Sequence, residues 1–288
     1  MSTKRPNREL LIDGDVLAYQ CAAACEKAID WGDNYWTWHC DANEVKNLII
    51  DRISDLEDAL DASNSIICLS SPHNFRHSIL PSYKSNRSGV KRPLVLKEIR
   101  DWLIFQFDAA VKDGLEGDDV LGILATMRGA KQAERVIVSI DKDMKSIPGL
   151  YYRGPEYGLV EISEREANEF HMIQTLAGDP TDGYSGCPGI GMERATKLIR
   201  DEPTVLVPYD YTVTRGPRKG DTEVRYTEEP TTDLWAAVVS RYVAAGLTEQ
   251  DALIQARVSR ILRAQDYDFQ TSRPIPWNPP SSGSSFQE

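Results

Sequence analysis

Leu10-Leu11-Ile12-Asp13-Gly14-Asp15 is the stretch that decides the fold. An unbroken apolar run, too short for a helix and closed by acids around a glycine, suits a strand buried on both faces. Two more apolar runs follow, Ser65-Ile66-Ile67-Cys68-Leu69-Ser70 and Val136-Ile137-Val138-Ser139-Ile140-Asp141-Lys142-Asp143, so that two of the three end in acids. Helical periodicity over 44–62 and 94–107, and a third helix reading from Asp118 to Met127, separate the runs. Strands alternating with helices predict an α/β core with a mostly parallel sheet. Ligands of such sheets bind at the carboxyl ends of the strands, which is where Asp13, Asp15, Asp141 and Asp143 would gather.

Beyond residue 160 the strand signals fade and helices are expected over 163–177, 190–200, 231–245 and 248–264. Residues 208–230, with Gly216, Pro217 and Gly220 among Tyr, Thr, Arg and Glu, read as a hairpin or a mobile loop. The expected division is a catalytic domain over 1–162, a helical subdomain over 163–270, and a disordered Pro/Ser-rich tail over 271–288. No apolar run approaches the roughly 20 residues of a membrane span, so no membrane partner is expected. The start MSTKRPNREL carries no apolar secretion signal, so the expected home is cytoplasmic, the host cytoplasm for a phage protein.

Five cysteines with no CxxC spacing argue for reduced thiols rather than disulfides or zinc, and the four histidines make no HExxH pattern. A net charge of -11 argues on its face against nucleic acid. The distribution reverses this: Arg76, Lys84, Arg87, Lys91, Arg92, Lys97 and Arg100 face only Glu98 across residues 76–100. Basic and aromatic residues mixed in Asn74-Phe75-Arg76-His77 and Tyr83-Lys84-Ser85-Asn86-Arg87 suit phosphate contacts and base stacking.

The acids fall in four clusters: Asp13/Asp15, Glu116/Asp118/Asp119, Asp141/Asp143 and Asp179/Asp182. Carboxylates opening a helix are favoured by its free amides, which is the structural reading of Asp118 and Asp119. Three acids in four residues nevertheless repel unless a cation sits among them. Phosphodiester hydrolysis by two metals wants such carboxylate oxygens. A further element is Gly189-Ile190-Gly191 ahead of Ala195, Lys197 and Leu198-Ile199, the pattern of a helix-hairpin-helix turn whose bare amides approach a phosphate backbone.

Taken in order, these motifs resemble the 5′-nuclease family of flap endonucleases and bacterial and phage 5′-3′ exonucleases, most closely the compact exonucleases of small-tailed phages. The resemblance runs from residue 8 to about 200 through Asp13-Gly14, the FRH and YKxxR stretch, ExDD, the DxD at Asp141, and the GDxxD to GxGxxxA run. It implies a PIN-like α/β fold with a helical DNA-binding subdomain, and two Mg²⁺ or Mn²⁺ ions, with K⁺ at the helix-hairpin-helix turn. It implies that Asp13, Glu116, Asp118 and Asp119 form one metal site and Asp141, Asp143, Asp179 and Asp182 the other. Lys84 and Arg87 would reach the scissile phosphate with Arg76 beside them, and Gly189, Gly191 and Lys197 would seat duplex DNA. The implied activity is metal-dependent 5′-3′ exonuclease or flap-endonuclease cleavage during DNA replication or degradation. The implied partners are duplex or flapped DNA and RNA-DNA hybrid such as a primer, bound by a monomer.

The chain departs from the family at Ser70 and Ser71, where many members carry an acid. Two other readings stand beside this one. Asp13-Gly14-Asp15-Val16 and Gly178-Asp179-Pro180-Thr181-Asp182 loosely match a haloacid-dehalogenase-like phosphatase. The missing acid alternatively suits a DNA-structure-binding protein whose catalytic site has decayed.

Overall fold

A computed structural model describes residues 7–87, 89–129 and 133–280. The chain forms two compact units. The first takes Met1–Phe75, Gly89–Glu164 and Ile261–Ile275; the second takes Arg76–Ser88, Arg165–Arg260 and Pro276–Glu288.

In the first unit the chain runs through β1 (Arg8–Asp13), α1 (Gly14–Cys25), a hairpin of β2 (Lys27–Asp30) and β3 (Trp36–His39), α2 (Ala42–Ala59) and β4 (Asn64–Leu69). The short α3 (Arg76–Ile79) belongs to the second unit. The first unit resumes with α4 (Leu96–Phe107), β5 (Ala110–Val111), α5 (Gly117–Thr126), β6 (Glu134–Val138), β7 (Gly149–Tyr152) and β8 (Leu159–Ile162). The sheet order is β5-β4-β1-β6-β7-β8, parallel throughout except where β8 returns antiparallel to β7. A mixed α/β fold with a mostly parallel sheet is therefore what the apolar runs build. β1 is central, and Leu10, Leu11 and Ile12 are buried as a strand covered on both faces must be.

Leu17, Ala18 and Cys21 of α1, Val45 and Ile49 of α2, and Ile99 and Leu103 of α4 pack against the sheet, each large aliphatic contributing about 2 kcal/mol. Gly14 permits α1 to start hard against β4: a Cβ there would lie 2.5 Å from Ile67 Cγ2 and 2.8 Å from the Cys68 carbonyl oxygen. The segment from Ile261 lies against α5, where the Leu262 amide donates to Asp119 Oδ1 (3.0 Å) and Arg263 donates to the Ser146 carbonyl (2.8 Å).

The second unit contains α6 (Glu164–Ala177, from its second residue), α7 (Met192–Arg200), a ribbon of β9 (Thr204–Thr212) and β10 (Thr222–Pro230), α8 (Leu234–Ala244) and α9 (Glu249–Ser259). Its core joins Met172, Ile173, Ile190, Ala195, Ile199, Val238 and Tyr242. The disordered tail expected from residue 271 is corrected by the structure as far as residue 280. β12 (Arg273–Pro274) pairs with β11 (Tyr267–Asp268). Trp277 packs edge-on to His171 and Trp235, and its carbonyl accepts from Arg257. Proline-rich composition hid these anchors, because one partly buried aromatic holds a segment that composition reads as loose. Residues 281–288 of the expected tail lie outside the described residues.

Candidate metal centre and active site

The acids of the first unit stand where strands end and helices begin. Asp13 closes β1 and caps α1, its Oδ1 accepting from the Val16 amide (3.1 Å). Its Oδ2 accepts from the Ser139 hydroxyl (2.7 Å), and the same hydroxyl accepts from the Asp141 amide (3.1 Å). Ser139 thus rivets the end of β1 to the acids that follow β6. Asp141 caps the next turn through the Asp143 amide (2.9 Å), and its carbonyl accepts from the Tyr151 hydroxyl (2.7 Å).

Asp13 is 4% exposed. Burial raises its pKa above the ordinary carboxylate value, against the Val16 and Ser139 hydrogen bonds, and the charge of Asp141 raises it further. Two neighbours report the same concentration of charge. The Tyr151 hydroxyl is pushed up to about 12 by burial, with Asp141, Asp143 and Asp13 adding to it. Burial, then Asp13 and more weakly Asp118, push the Cys68 thiol up as well.

Glu116 and Asp118 are half-buried at the start of α5, and Asp119 is fully buried. Asp119 is spoken for: Oδ2 accepts from the Glu116 amide (3.1 Å) in a capping box and Oδ1 from the Leu262 amide. Asp15 is different again. It ion-pairs with Arg100 and accepts from the Ser70 amide (2.8 Å), while Arg100 donates to the Ser70 carbonyl (2.7 Å). The Ser70 hydroxyl accepts from the Gly117 amide (2.8 Å), so the serine in place of an acid ties β4 to the start of α5.

Among the described residues, no three His, Cys, Asp or Glu side chains already stand at metal-ligand spacing. The donor set fits a hard divalent cation on other grounds: oxygen ligands only, and a buried Asp13 crowded by Asp141 and held by neutral donors.

In the second unit, Asp179 and Asp182 lie in a closed loop. The Asp179 and Tyr184 backbones pair, and the Thr181 amide donates to Asp179 Oδ1 (2.8 Å). Gly178 and Gly186 cross at the neck of the loop with φ of +68° and +64°, and a Cβ on Gly178 would sit 2.5 Å from the Gly186 nitrogen. Only glycines fit that crossing. Asp182 ion-pairs with Arg87, lies 3.6 Å from Lys84 Nζ, and accepts from the Tyr83 hydroxyl (3.1 Å). The expected phosphate-binding cations are thus held on an acid of their own unit.

Arg76, expected beside them, is buried and donates to the carbonyls of Val258 (2.9 Å) and Arg260 (2.6 Å), where it closes the end of α9. Gly189 (φ +74°) and Gly191, the N-cap of α7, have nothing within 4 Å of an added Cβ, so their backbone is open to approach. Lys197 is exposed on α7 above buried Ala195 and Ile199.

The family described as the 5′-3′ exonuclease, N-terminal resolvase-like domain matches residues 8–149. An exodeoxyribonuclease of Enterobacteria phage T3 is 32% identical over 94% of this chain and 93% of its own length. An exonuclease of Escherichia phage T7 is 32% identical over the same shares. The chain belongs to the 5′-3′ exonuclease family.

A flap endonuclease of Shewanella oneidensis is also similar, 28% identical over 44% of this chain and 53% of its own. A structure of phage T5 5′-exonuclease with zinc bound covers 67% of this chain and 75% of that one at 17% identity and a TM-score of 0.51, a likeness of fold. Sequence reasoning gave Ser139 no role of its own and did not find the partners of Ser70, Arg100 and Tyr83, because their contacts are distant in sequence. The phosphatase reading falls with the family, since the relatives that match this chain over nearly its whole length are exonucleases.

Proposed function

We propose that this exonuclease-family member hydrolyses DNA phosphodiesters from the 5′ side, at duplex ends and at 5′ flaps, with divalent metal. The observation that carries the reading is the buried Asp13 at the carboxyl end of the central strand, crowded by Asp141 and fixed by the Ser139 hydroxyl and a backbone amide. Such a carboxylate is costly unless a cation joins it.

Asp13, Glu116, Asp118, Asp141 and Asp143 would hold Mg²⁺ or Mn²⁺ as two ions, with Asp119 anchoring the start of α5 for Glu116 and Asp118. Bound metal would supply an activated water and stabilise the leaving oxygen. In the second unit the same reading assigns Asp179 and Asp182 to metal and Lys84 and Arg87 to the phosphate. It assigns the open Gly189 to Gly191 backbone, with Lys197, to the duplex, and K⁺ to that turn. RNA of RNA-DNA hybrids is cut on the same terms, and the enzyme works as a monomer in the host cytoplasm. Among the described residues no helix is long and apolar enough to cross a membrane.

The test is cleavage of 5′-labelled and 3′-labelled duplexes, with and without a flap, in Mg²⁺ and in EDTA. Metal-dependent release from the 5′ side is the expected result. Binding without cleavage in any divalent metal would instead support a decayed site.

A further inference from the structure

The β9–β10 ribbon of the second unit is more than a connection between α7 and α8. Its strands pair over nine residues each, from Thr204↔Pro230 to Thr212↔Thr222. That gives a reach of about 30 Å, the length of roughly nine base pairs of duplex. Only the base is fastened to the helices: the Leu206 amide donates to Ser240 Oγ (3.0 Å), and buried Arg241 reaches Thr204 Oγ1 (2.7 Å) and Glu228 (3.7 Å). Every β10 residue except Glu223 is exposed. A two-stranded ribbon with little buried area contributes little to the stability of its unit.

Charge is sorted along the ribbon. The base carries Glu228 and Glu229; the turn from Val213 to Asp221 carries Arg215, Arg218 and Lys219 against the single acid Asp221. The turn is built. The Val213 amide donates to the Asp221 carbonyl (2.9 Å) and the Gly220 amide to the Val213 carbonyl (2.9 Å), with Gly216 and Gly220 at φ of +81° and +98°. Below it the Arg225 guanidinium lies over the Tyr211 ring (3.5 Å to its centroid), and Glu223 accepts from Arg218 and Arg225 (2.9 Å each). Arg215 and Lys219 remain exposed at the end. On a chain of net charge -11, a polyanion is repelled by most of the surface, and a projecting basic tip is where it can be met.

We propose that this ribbon is a second duplex-DNA contact, its tip resting on backbone phosphates away from the Gly189 to Gly191 turn, so that it lengthens the footprint on duplex. The inference rests on DNA being the substrate. Backbone phosphates are the target because exposed guanidinium and ammonium groups are met by phosphate oxygens on any sequence.

The experiment is fluorescence anisotropy of the full chain in EDTA with a 40-base-pair and a 12-base-pair duplex across a salt series, with cleavage in Mg²⁺ measured separately. Replacing Arg215, Arg218 and Lys219 together by Ala should lower the salt-dependence slope on the long duplex by about 2 to 3 and weaken binding at least tenfold. The pair Arg215→Glu and Lys219→Glu should weaken it further, with the melting temperature kept because the turn is exposed. An unchanged slope and affinity overturns the ribbon contact while leaving the nuclease reading intact; capture of an acidic protein by the unaltered tip but not by the Glu pair, in that case, assigns the tip to protein. Loss of slope in the variant with no metal-dependent cleavage by wild type keeps the contact and sinks the nuclease reading.

Discussion

Asp13 and Asp141 of the first unit and Asp182 of the second are held in opposite ways. In the first unit Asp13 and Asp141 are fixed by backbone amides and the Ser139 hydroxyl, donors that orient a carboxylate without cancelling its charge. In the second, Asp182 is met by Arg87 and Lys84 and by the Tyr83 hydroxyl, so its charge is already answered. Neutral donors leave a carboxylate's charge uncompensated, and cationic donors compensate it. Asp15, paired with Arg100, shows that the first unit also answers a charge where the acid serves the scaffold.

The widest test of that contrast is Asp141→Ala. Cleavage should fall by about a thousandfold or more, because metal stabilisation is worth several kcal/mol, while the melting temperature holds or rises as repulsion on Asp13 is relieved. Mg²⁺ should raise the melting temperature of wild type and not that of the variant, which differential scanning calorimetry reads. Turnover at the wild-type rate would break the comparison outright.

Next in size is Asp119→Ala, which removes the capping-box acceptor and the acceptor of the Leu262 amide. A stability loss of about 3 kcal/mol is expected in denaturant titration. Full stability with lost cleavage would move Asp119 among the metal ligands. Lys84→Ala should cost about a hundredfold in single-turnover rate with duplex affinity nearly kept, because its charge is wanted where charge develops. Equal loss in rate and affinity would make it a binding residue. The smallest effect belongs to Gly189→Val: a β-branched side chain at positive φ on an open turn should weaken duplex binding about tenfold without altering the Mg²⁺-induced stabilisation.

Much of this was legible in the residues. Three short apolar runs, two of them ending in acids, marked β1, β4 and β6, because a strand buried on both faces must be apolar along its length and its polar residues fall at its end. The Gly189 and Gly191 spacing marked the start of α7 at Met192, two residues from where periodicity placed it. What the residues did not announce were partners. Nothing local in Arg76 says that it closes α9 rather than meeting a phosphate, since its bonds run to Val258 and Arg260. Nor could composition find Trp277 in the proline-rich end.

The sequence by itself determined the alternation of strands and helices, the acids at the carboxyl ends of β1 and β6, and the motif order that places the chain among the 5′-3′ exonucleases. The first two rest on local chemistry, namely period, caps and which side chains a strand end tolerates; the third rests on the resemblance of ordered motifs. Only the tertiary structure decided that Asp13 is held by neutral donors while Asp119 anchors the Leu262 amide, and that residues 76–87 fold with the second unit and 261–275 with the first. The reason is physical. Asp119 and Leu262 stand 143 residues apart, and a hydrogen bond of that span exists only after the fold has closed the chain around it.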